Sequence, residues 1–255
     1  MKPTLTLISD WRLRDPYLAI FKAALQNEIP ESNLLDITHH VDLNSLKQTA
    51  FLMKQTYMHF PEGSIHLLLT NVSFRSDFDP VVLAFENHIF IGEDNGIFSL
   101  IAGPQAKLSG RKYKKSDSLT AIDKMIALTK AVIEKKLDKI TEPYSDFARK
   151  FMPEAINFAN TKTIEGEIIY IDAYFNAITN IPIDMFMEAT GGKNFQGTIQ
   201  SKQDWPVNEF HPQYVDTSKF FFTESALGCL EIAYHQGKIA VLADLKVGDK
   251  VEIQY

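Results

Sequence analysis

The chain has 255 residues, 45% hydrophobic and 23% charged, with 26 Lys and Arg against 32 Asp and Glu for a net charge of −6. This is the balance of an ordinary globular protein, and the acidic excess argues against broad nucleic-acid binding. A single cysteine, Cys229, excludes an internal disulfide framework and a cysteine-rich zinc site, and fits a reducing compartment. The opening MKPTLTLISDW lacks the long apolar core of a signal peptide, and no run approaches the ~20 apolar residues of a membrane span. A cytoplasmic protein with no membrane or nucleic-acid partner is the expectation.

In chain order, Leu5 to Ile8 reads as a strand. Tyr17 to Leu25 reads as a helix with Leu18, Phe21 and Leu25 at helical spacing, and Leu34 to Ile37 as a second strand. Asn44 to Met58 predicts an amphipathic helix with Leu46, Ala50, Met53 and Tyr57 on one face. Ile65 to Leu69 is a nearly continuous apolar run, as in a strand buried on both faces. Val81 to Phe85 and Ile89 to Ile91 follow as strands, and Leu119 to Ile133 as a long helix. The alternation predicts an α/β domain over 1–140, a parallel or mixed sheet with helices on both faces. The pattern loosens around Pro143 and Pro153, which predicts a linker over 141–160. Beyond it, Glu167 to Ile171, Phe195 to Gln200, Lys219 to Thr223, Leu230 to Tyr234 and Lys250 to Gln254 read as strands. That spacing predicts a smaller all-β, barrel-like domain over 161–255.

In such a fold, residues just after parallel strands line a ligand crevice. Asp10 follows the first strand and Asp15 stands five residues on. A carboxylate is an acceptor-only group suited to a vicinal diol, and a second could meet a cation. The same two residues equally suit a turn and a helix N-terminus before Pro16. Asp94-Asn95-Gly96 is first of all a turn signal. In Ile171-Asp-Ala-Tyr-Phe-Asn-Ala-Ile-Thr-Asn-Ile181, Tyr174 offers a face on which a nucleobase can stack. Asn176 offers an amide able to donate and accept at an adenine edge, although a polar loop satisfying its own backbone explains the segment as well. The adjacent His39 and His40 point apart on most backbones and have no ligand cluster at metal-binding spacing, so no metal site is expected and they read as structural or surface histidines. No phosphate loop, HExxH or GxSxG pattern is present. Arg111, Lys112, Lys114 and Lys115 read most simply as a solvated basic loop.

Several of these segments, in this order, resemble the S-adenosylmethionine (SAM) hydroxide adenosyltransferases, relatives of the fluorinating and chlorinating enzymes. The pattern T-D-F-G-x-x-D-x-Y is similar to the run Ser9 to Tyr17, I-x-D-I-T-H to Leu34 through His39, and F-P-x-G-T-[IV]-H to Phe60 through His66. The pattern [FV]-G-P-D-N-G is similar to Ile91 through Gly96, and D-x-F-G-N-x-x-T-N-I to Asp172 through Ile181. The tail resembles the family in Gly228 to Ala233 and Leu245 to Asp249. The resemblance implies an N-terminal α/β domain, a C-terminal β-barrel, and a homotrimer with ligand at the interface of neighbouring subunits. SAM or adenosine would be the bound molecule, as substrate or ligand, with no cofactor. Carried over, Asp10 would hold the ribose hydroxyls and Asp15 the methionine ammonium. Asp172 and Asn176 would address the methionyl and adenine ends, Tyr174 would stack on the base, and Asp94 and Asn95 would join the substrate-binding set.

The departures lie in the reacting groups. The family's hydrolytic members use an Asp and an Arg in V-D-P-G-V-G-x-x-R and a His in H-G-R-D. Ungapped counting places Asn71 at the Asp and Phe78 at the Arg, and matching Asp117 to the end of H-G-R-D places Lys114 at the His. Asn44 stands where the family usually has an aromatic residue over the ligand, and Arg75 or Asp77 could fill the arginine's space after a register shift. Two functions follow. One is hydrolysis of SAM to adenosine and methionine, with Asn71, Ser73, Arg75 or Lys114 as catalytic replacements. The other is a catalytically silent SAM- or adenosine-binding protein. A halide-using enzyme is a weaker third.

Overall fold

The fold is described from a computed structural model that covers residues 2–114 and 118–255. Lys115 and Asp117, used in the basic run and in the H-G-R-D comparison, lie outside the described residues. The chain divides into two units, Met1–Met152 and Pro153–Tyr255.

In the first unit the alternation of apolar side chains along the strands sets the layers. The sheet is built of β1 (Thr4–Ser9), β2 (Asn33–Thr38), β3 (Ile65–Leu69), β4 (Val81–Phe85), β5 (His88–Gly92), β6 (Gly110–Tyr113) and β7 (Thr141–Tyr144). Its spatial order is β2-β1-β3-β5-β4-β6-β7. The first four strands in that order run parallel and the last three add antiparallel, so the sheet is mixed. Leu5, Leu7, Leu67 and Leu69 point to one face, under α1 (Tyr17–Glu28) and α4 (Ala121–Ile133). Ile8, Leu68, Leu83 and Phe90 point to the other, under α2 (Leu46–Thr56) and α3 (Ile97–Ala102). With both faces covered, the strands are apolar on both sides, as Ile65–Leu69 anticipates.

Arg111 and Lys112 of the basic run stand in a strand, not in a solvated loop. Gly110–Tyr113 pairs on both sides, Arg111 reaches Thr141 and Asp138, and the Lys112 ammonium lies 5.4 Å from the centre of the Tyr144 ring. The stretch expected as a linker holds β7 and, in the second unit, β8 (Ile156–Phe158). Both are three or four residues long, too short to show a period, and Pro143 sits within β7 at the sheet's edge, where a missing N–H is tolerated.

A polar island is buried in the first unit. His66 and His88 are 0% and 3% exposed; His66 Nδ1 meets the Thr6 hydroxyl at 2.7 Å, and its Nε2 lies 3.0 Å from His88 Nδ1. Burial, with His88 as a lesser contributor, holds the His66 imidazole down to about 3, and burial also lowers His88.

Helix α4 begins at a capping box. The Thr120 hydroxyl accepts from Asp123 N, and the Asp123 carboxylate accepts from Thr120 N. Thr120→Ala should therefore lower stability by about 1 kcal/mol, read as a shifted urea midpoint at unchanged slope.

The strands of the second unit pair antiparallel, with one isolated parallel bridge between Phe210 and Phe222. The unit comprises β8, β9 (Thr163–Ile171), β10 (Ala177–Pro182), β11 (Gln196–Gln200), β12 (Asp204–Val207), β13 (Phe221–Glu224), β14 (Cys229–Ala233) and β15 (Lys250–Gln254). The order is β12-β11-β15-β9-β10-β14-β13, with β8 on β9, and the sheet curls into a nearly closed barrel. Ile164, Ile199, Phe222, Leu230 and Ile253 fill it, and α5 (Ile183–Thr190) plugs one side with Phe186, whose ring meets Phe195 at 5.1 Å. The barrel is tight at Gly197, where a Cβ would stand 2.5 Å from the Phe222 ring. A short helix, α6 (Ile239–Leu242), precedes the last strand.

Candidate functional site

At the carboxyl end of β1 the chain turns outward, and the turn is organised by one carboxylate. Asp10, 5% exposed, accepts through Oδ2 the backbone N–H groups of Asn44 at 2.9 Å and Asn71 at 3.1 Å. Asn71 follows the buried strand β3, and Asn44 leads into α2. Both adopt left-handed backbone with φ of 62°, and Arg12 beside them has φ of 64°. Asparagine tolerates this region better than most residues, so the sequence at 44 and 71 suits the two N–H groups aimed at Asp10. Asp10 Oδ1 accepts from no group among the described residues and opens into a cavity of about 830 Å³.

The cavity's apolar wall is aromatic. Trp11 donates its indole N–H to Val72 O at 2.6 Å, and its ring lies 5.6 Å from that of Phe74, which in turn lies 5.8 Å from Tyr17. The polar wall comes from the loop after β3. Ser73 and Ser76 close a turn on each other, and the Ser73 hydroxyl accepts from Arg75 N. Asp15, Asn71, Ser73 and Arg75 all line the space that Asp10 faces. Asp77 does not; with Asp79 it meets Lys124, at 3.6 and 3.0 Å, and the Asp79 hydrogen bond holds that ammonium above the usual lysine range. This pair ties the loop to α4, as does Ala121 N donating to Ser76 O.

Behind Asp10 lies a buried histidine. His39 Nδ1 is 2.7 Å from Ser9 Oγ, and its Nε2 approaches Asp36 Oδ1 at 3.1 Å, close but off the line of a good hydrogen bond. Burial lowers the His39 imidazole, Asp36 opposing. Ser9 is 0% exposed, so this Ser-His-Asp arrangement offers no surface hydroxyl to a substrate; it braces the turn, with His39 O accepting from Arg12 N at 2.8 Å.

The second unit has a cavity of its own, about 580 Å³, lined by Tyr174, Phe175, Asn176, Tyr214, Tyr234 and Lys238 among others. Asp172, at the end of β9, accepts through Oδ1 from Tyr174 N and Asn176 N, and through Oδ2 from the Asn176 amide. That Asx turn leaves Tyr174 78% exposed and Asn176 4% exposed. Asn176 Nδ2 also donates to the Tyr214 hydroxyl at 2.7 Å, and Tyr214 donates to Glu231 on β14. Burial raises both the Tyr214 phenol and the Glu231 carboxyl above their ordinary ranges. Thr179 and Asn180 serve the fold, bonding Leu230 O, Glu167 N and Pro153 O.

Compared with known proteins, residues 5–139 match the SAM hydroxide adenosyltransferase N-terminal domain, and residues 166–252 match the C-terminal domain of the same family. The chain belongs to the SAM hydroxide adenosyltransferase family. It is similar to a Thermus thermophilus protein named (R)-S-adenosyl-L-methionine hydrolase, 24% identical over 99% of this chain and 100% of that one. A Salinispora arenicola protein of the same name is 23% identical over 37% of this chain and 36% of its own. Among solved structures, an uncharacterized conserved protein from Thermotoga maritima has the same fold at a TM-score of 0.83, with 21% identity over 98% of this chain and 100% of that one. A conserved hypothetical protein from Thermus thermophilus gives 0.70, again at 21% identity, over 99% and 100%.

In this member of the SAM hydroxide adenosyltransferase family, not every residue singled out from the sequence reaches a cavity. Lys114 pairs with Glu142 on β7 at 2.9 Å and does not line the Asp10 cavity. Phe78 packs against the core under α1 and α4. Asp94 accepts from the Tyr144 hydroxyl at 2.8 Å and from Ala148 N, pushing the phenol up to about 12 through burial and that contact. Asn95 accepts from Ile97 N at the start of α3, and Gly96 takes a φ of 99°. The Asp-Asn-Gly segment is thus used as a turn, and neither Asp94 nor Asn95 lines the two cavities. Among the described residues, no group of three or more His, Cys, Asp or Glu is disposed to hold a metal ion, and no helix is long and apolar enough to cross a membrane. Sequence reasoning missed Phe74, Tyr214, Glu231 and Lys238. The only signal for Tyr214 and Glu231 was their type, because their partners lie 38 and 17 residues away.

Proposed function

We propose that this protein binds SAM through its adenosyl group and cleaves it with water to adenosine and methionine. The observation that carries the reading is Asp10: one oxygen is fixed by two backbone N–H groups and the other is presented, unpartnered among the described residues, to a cavity with aromatic walls. A vicinal diol is the ligand chemistry such an acceptor suits, and the matched family and the names of its relatives point to the same molecule. Asp15 in the same cavity is assigned to the methionine ammonium, Asp172 to the methionyl end, Asn176 to the adenine and Tyr174 to stacking on it. The same resemblance supports a homotrimer, and the single cysteine supports a reducing, cytoplasmic setting.

The chemistry asks little of an acid. Water attacks C5′ in line, a C–O bond forms, and the C–S pair leaves on sulfur as a neutral thioether. The attacking water then sheds its proton to solvent. Since the substrate's positive charge disappears, alignment and desolvation of the water supply most of what a protein can give. Asn71, Ser73 and Arg75 are assigned to orient it. A second reading, a SAM-binding protein without turnover, is favoured by one observation: among the described residues the cavity lining has no histidine, and its only carboxylates are Asp10 and Asp15, both assigned to substrate. Purified protein incubated with SAM, with and without chloride, decides between them by chromatography of the products. Adenosine formed in proportion to enzyme supports hydrolysis, and a halogenated nucleoside would assign a halide nucleophile. Saturable calorimetric binding without product establishes the silent binder, and neither binding nor product removes both readings.

A further inference from the structure

Asparagine normally reads a base in both senses, donating and accepting, but the surroundings of Asn176 forbid this. Its Nδ2 faces two acceptors, Asp172 Oδ2 at 3.3 Å and the Tyr214 oxygen at 2.7 Å. The Tyr214 hydroxyl has a single proton and donates it to Glu231, so only its oxygen lone pairs are left for Asn176. A flipped amide would set its carbonyl oxygen against a carboxylate and a phenol oxygen, so the network itself fixes which end is NH2. Both amide hydrogens are then occupied. Oδ1 accepts from no group among the described residues, and Asn176 lines the second unit's cavity, so an acceptor is what it offers there. The side chain has little freedom to turn, because Asn176 N is itself bonded to Asp172 Oδ1 at 2.8 Å and Glu231, 6% exposed, is anchored in β14.

We propose that Tyr214 and Glu231 are specificity-determining positioning residues: by holding both Asn176 amide hydrogens they make it an obligate acceptor, selecting a base with an exocyclic amino group over one with a carbonyl at that position. The inference rests on the adenosyl reading above and adds to it the reason adenine is taken and hypoxanthine refused. A carbonyl facing Oδ1 would leave two acceptors opposed without water to separate them, a mismatch that discriminates far more strongly than a missing methylene.

The test is a calorimetric series on the wild-type protein and Tyr214→Phe with three probes: adenosine, inosine, and purine riboside, which has neither group at C6. In the wild type, adenosine should bind at least about 100-fold more tightly than inosine, with purine riboside between them. Tyr214→Phe keeps the ring but frees one amide hydrogen. The adenosine-to-inosine ratio should fall about tenfold, because only Asp172 is then left to oppose a turned amide that presents a donor to the base. The wild-type series stands without the variant should Tyr214→Phe fail to show a cooperative melt. Equal wild-type affinities for adenosine and inosine overturn the inference, as does an unchanged ratio in a folded Tyr214→Phe. Absence of binding by all three probes and by SAM instead brings down the adenosyl reading on which it rests.

Discussion

Asp10→Ala should weaken adenosine and SAM binding by at least about 100-fold, measured by calorimetry. The carboxylate's open oxygen would receive the two ribose hydroxyls, and each hydrogen bond to a charged acceptor is worth about 1.5–3 kcal/mol, so losing both amounts to a factor of a hundred or more. Alanine also strips Asn44 N and Asn71 N of their shared acceptor. Part of the loss would then come from loosened turns rather than from the ligand. Asp10→Asn separates the two effects. Its carbonyl oxygen can keep both backbone N–H groups, while its NH2 faces the cavity, where a diol needs an acceptor. This variant should melt within a few degrees of the wild type yet bind adenosine almost as poorly as alanine does. Wild-type affinity in Asp10→Asn would show that the ribose is held elsewhere.

The second large effect is on stability in acid. With the folded His66 imidazole at about 3 and an unfolded histidine near 6.5, the unfolded chain binds the extra proton first as pH falls. The stabilisation is therefore fully present above about 6.5. It declines by about 1.4 kcal/mol per pH unit below that until the folded group itself titrates. Lowering the pH from 7 to 4.5 should remove roughly 2–3 kcal/mol through His66 alone, with His88, shifted the same way, adding to it. His66→Leu should start from a lower stability at pH 7, since Thr6 loses its partner. Its stability should nevertheless fall less between pH 7 and 4.5 than that of the wild type. Parallel pH profiles, measured as urea midpoints, would rule out the buried pair as the acid-sensitive element.

Where apolar side chains recur at strand spacing, the chain spells out its structure. The fully buried Ile65–Leu69 and the partly buried Val81–Phe85 and Lys250–Gln254 begin and end where hydrophobic pattern and flanking turn residues place them. Elements that owe their form to a neighbour were not legible. β6 is basic and four residues long, and becomes a strand because β4 and β7 flank it; β7 carries a proline; α5 begins directly after the strand ending at Pro182. The candidate site divides the same way. Asp10 could be found because a carboxylate at the end of a buried strand has a predictable place. That Asn71 contributes a backbone N–H as well as a side chain, that Lys114 turns to Glu142, and that Asn176 is held by Tyr214 and Glu231 all depend on contacts across long stretches of sequence. Residue type at one position does not encode these.

The proline in β7 has a counterpart in Pro206 of β12, likewise an outermost strand. A proline tolerated in an edge strand turns its nitrogen away from the sheet, so each rim has a gap in the row of donors that an arriving strand would need. Copies of this chain that meet along either rim cannot zip into a continuous ribbon there. Association at those borders is left to side-chain surfaces, which favours a finite assembly over an open-ended fibre.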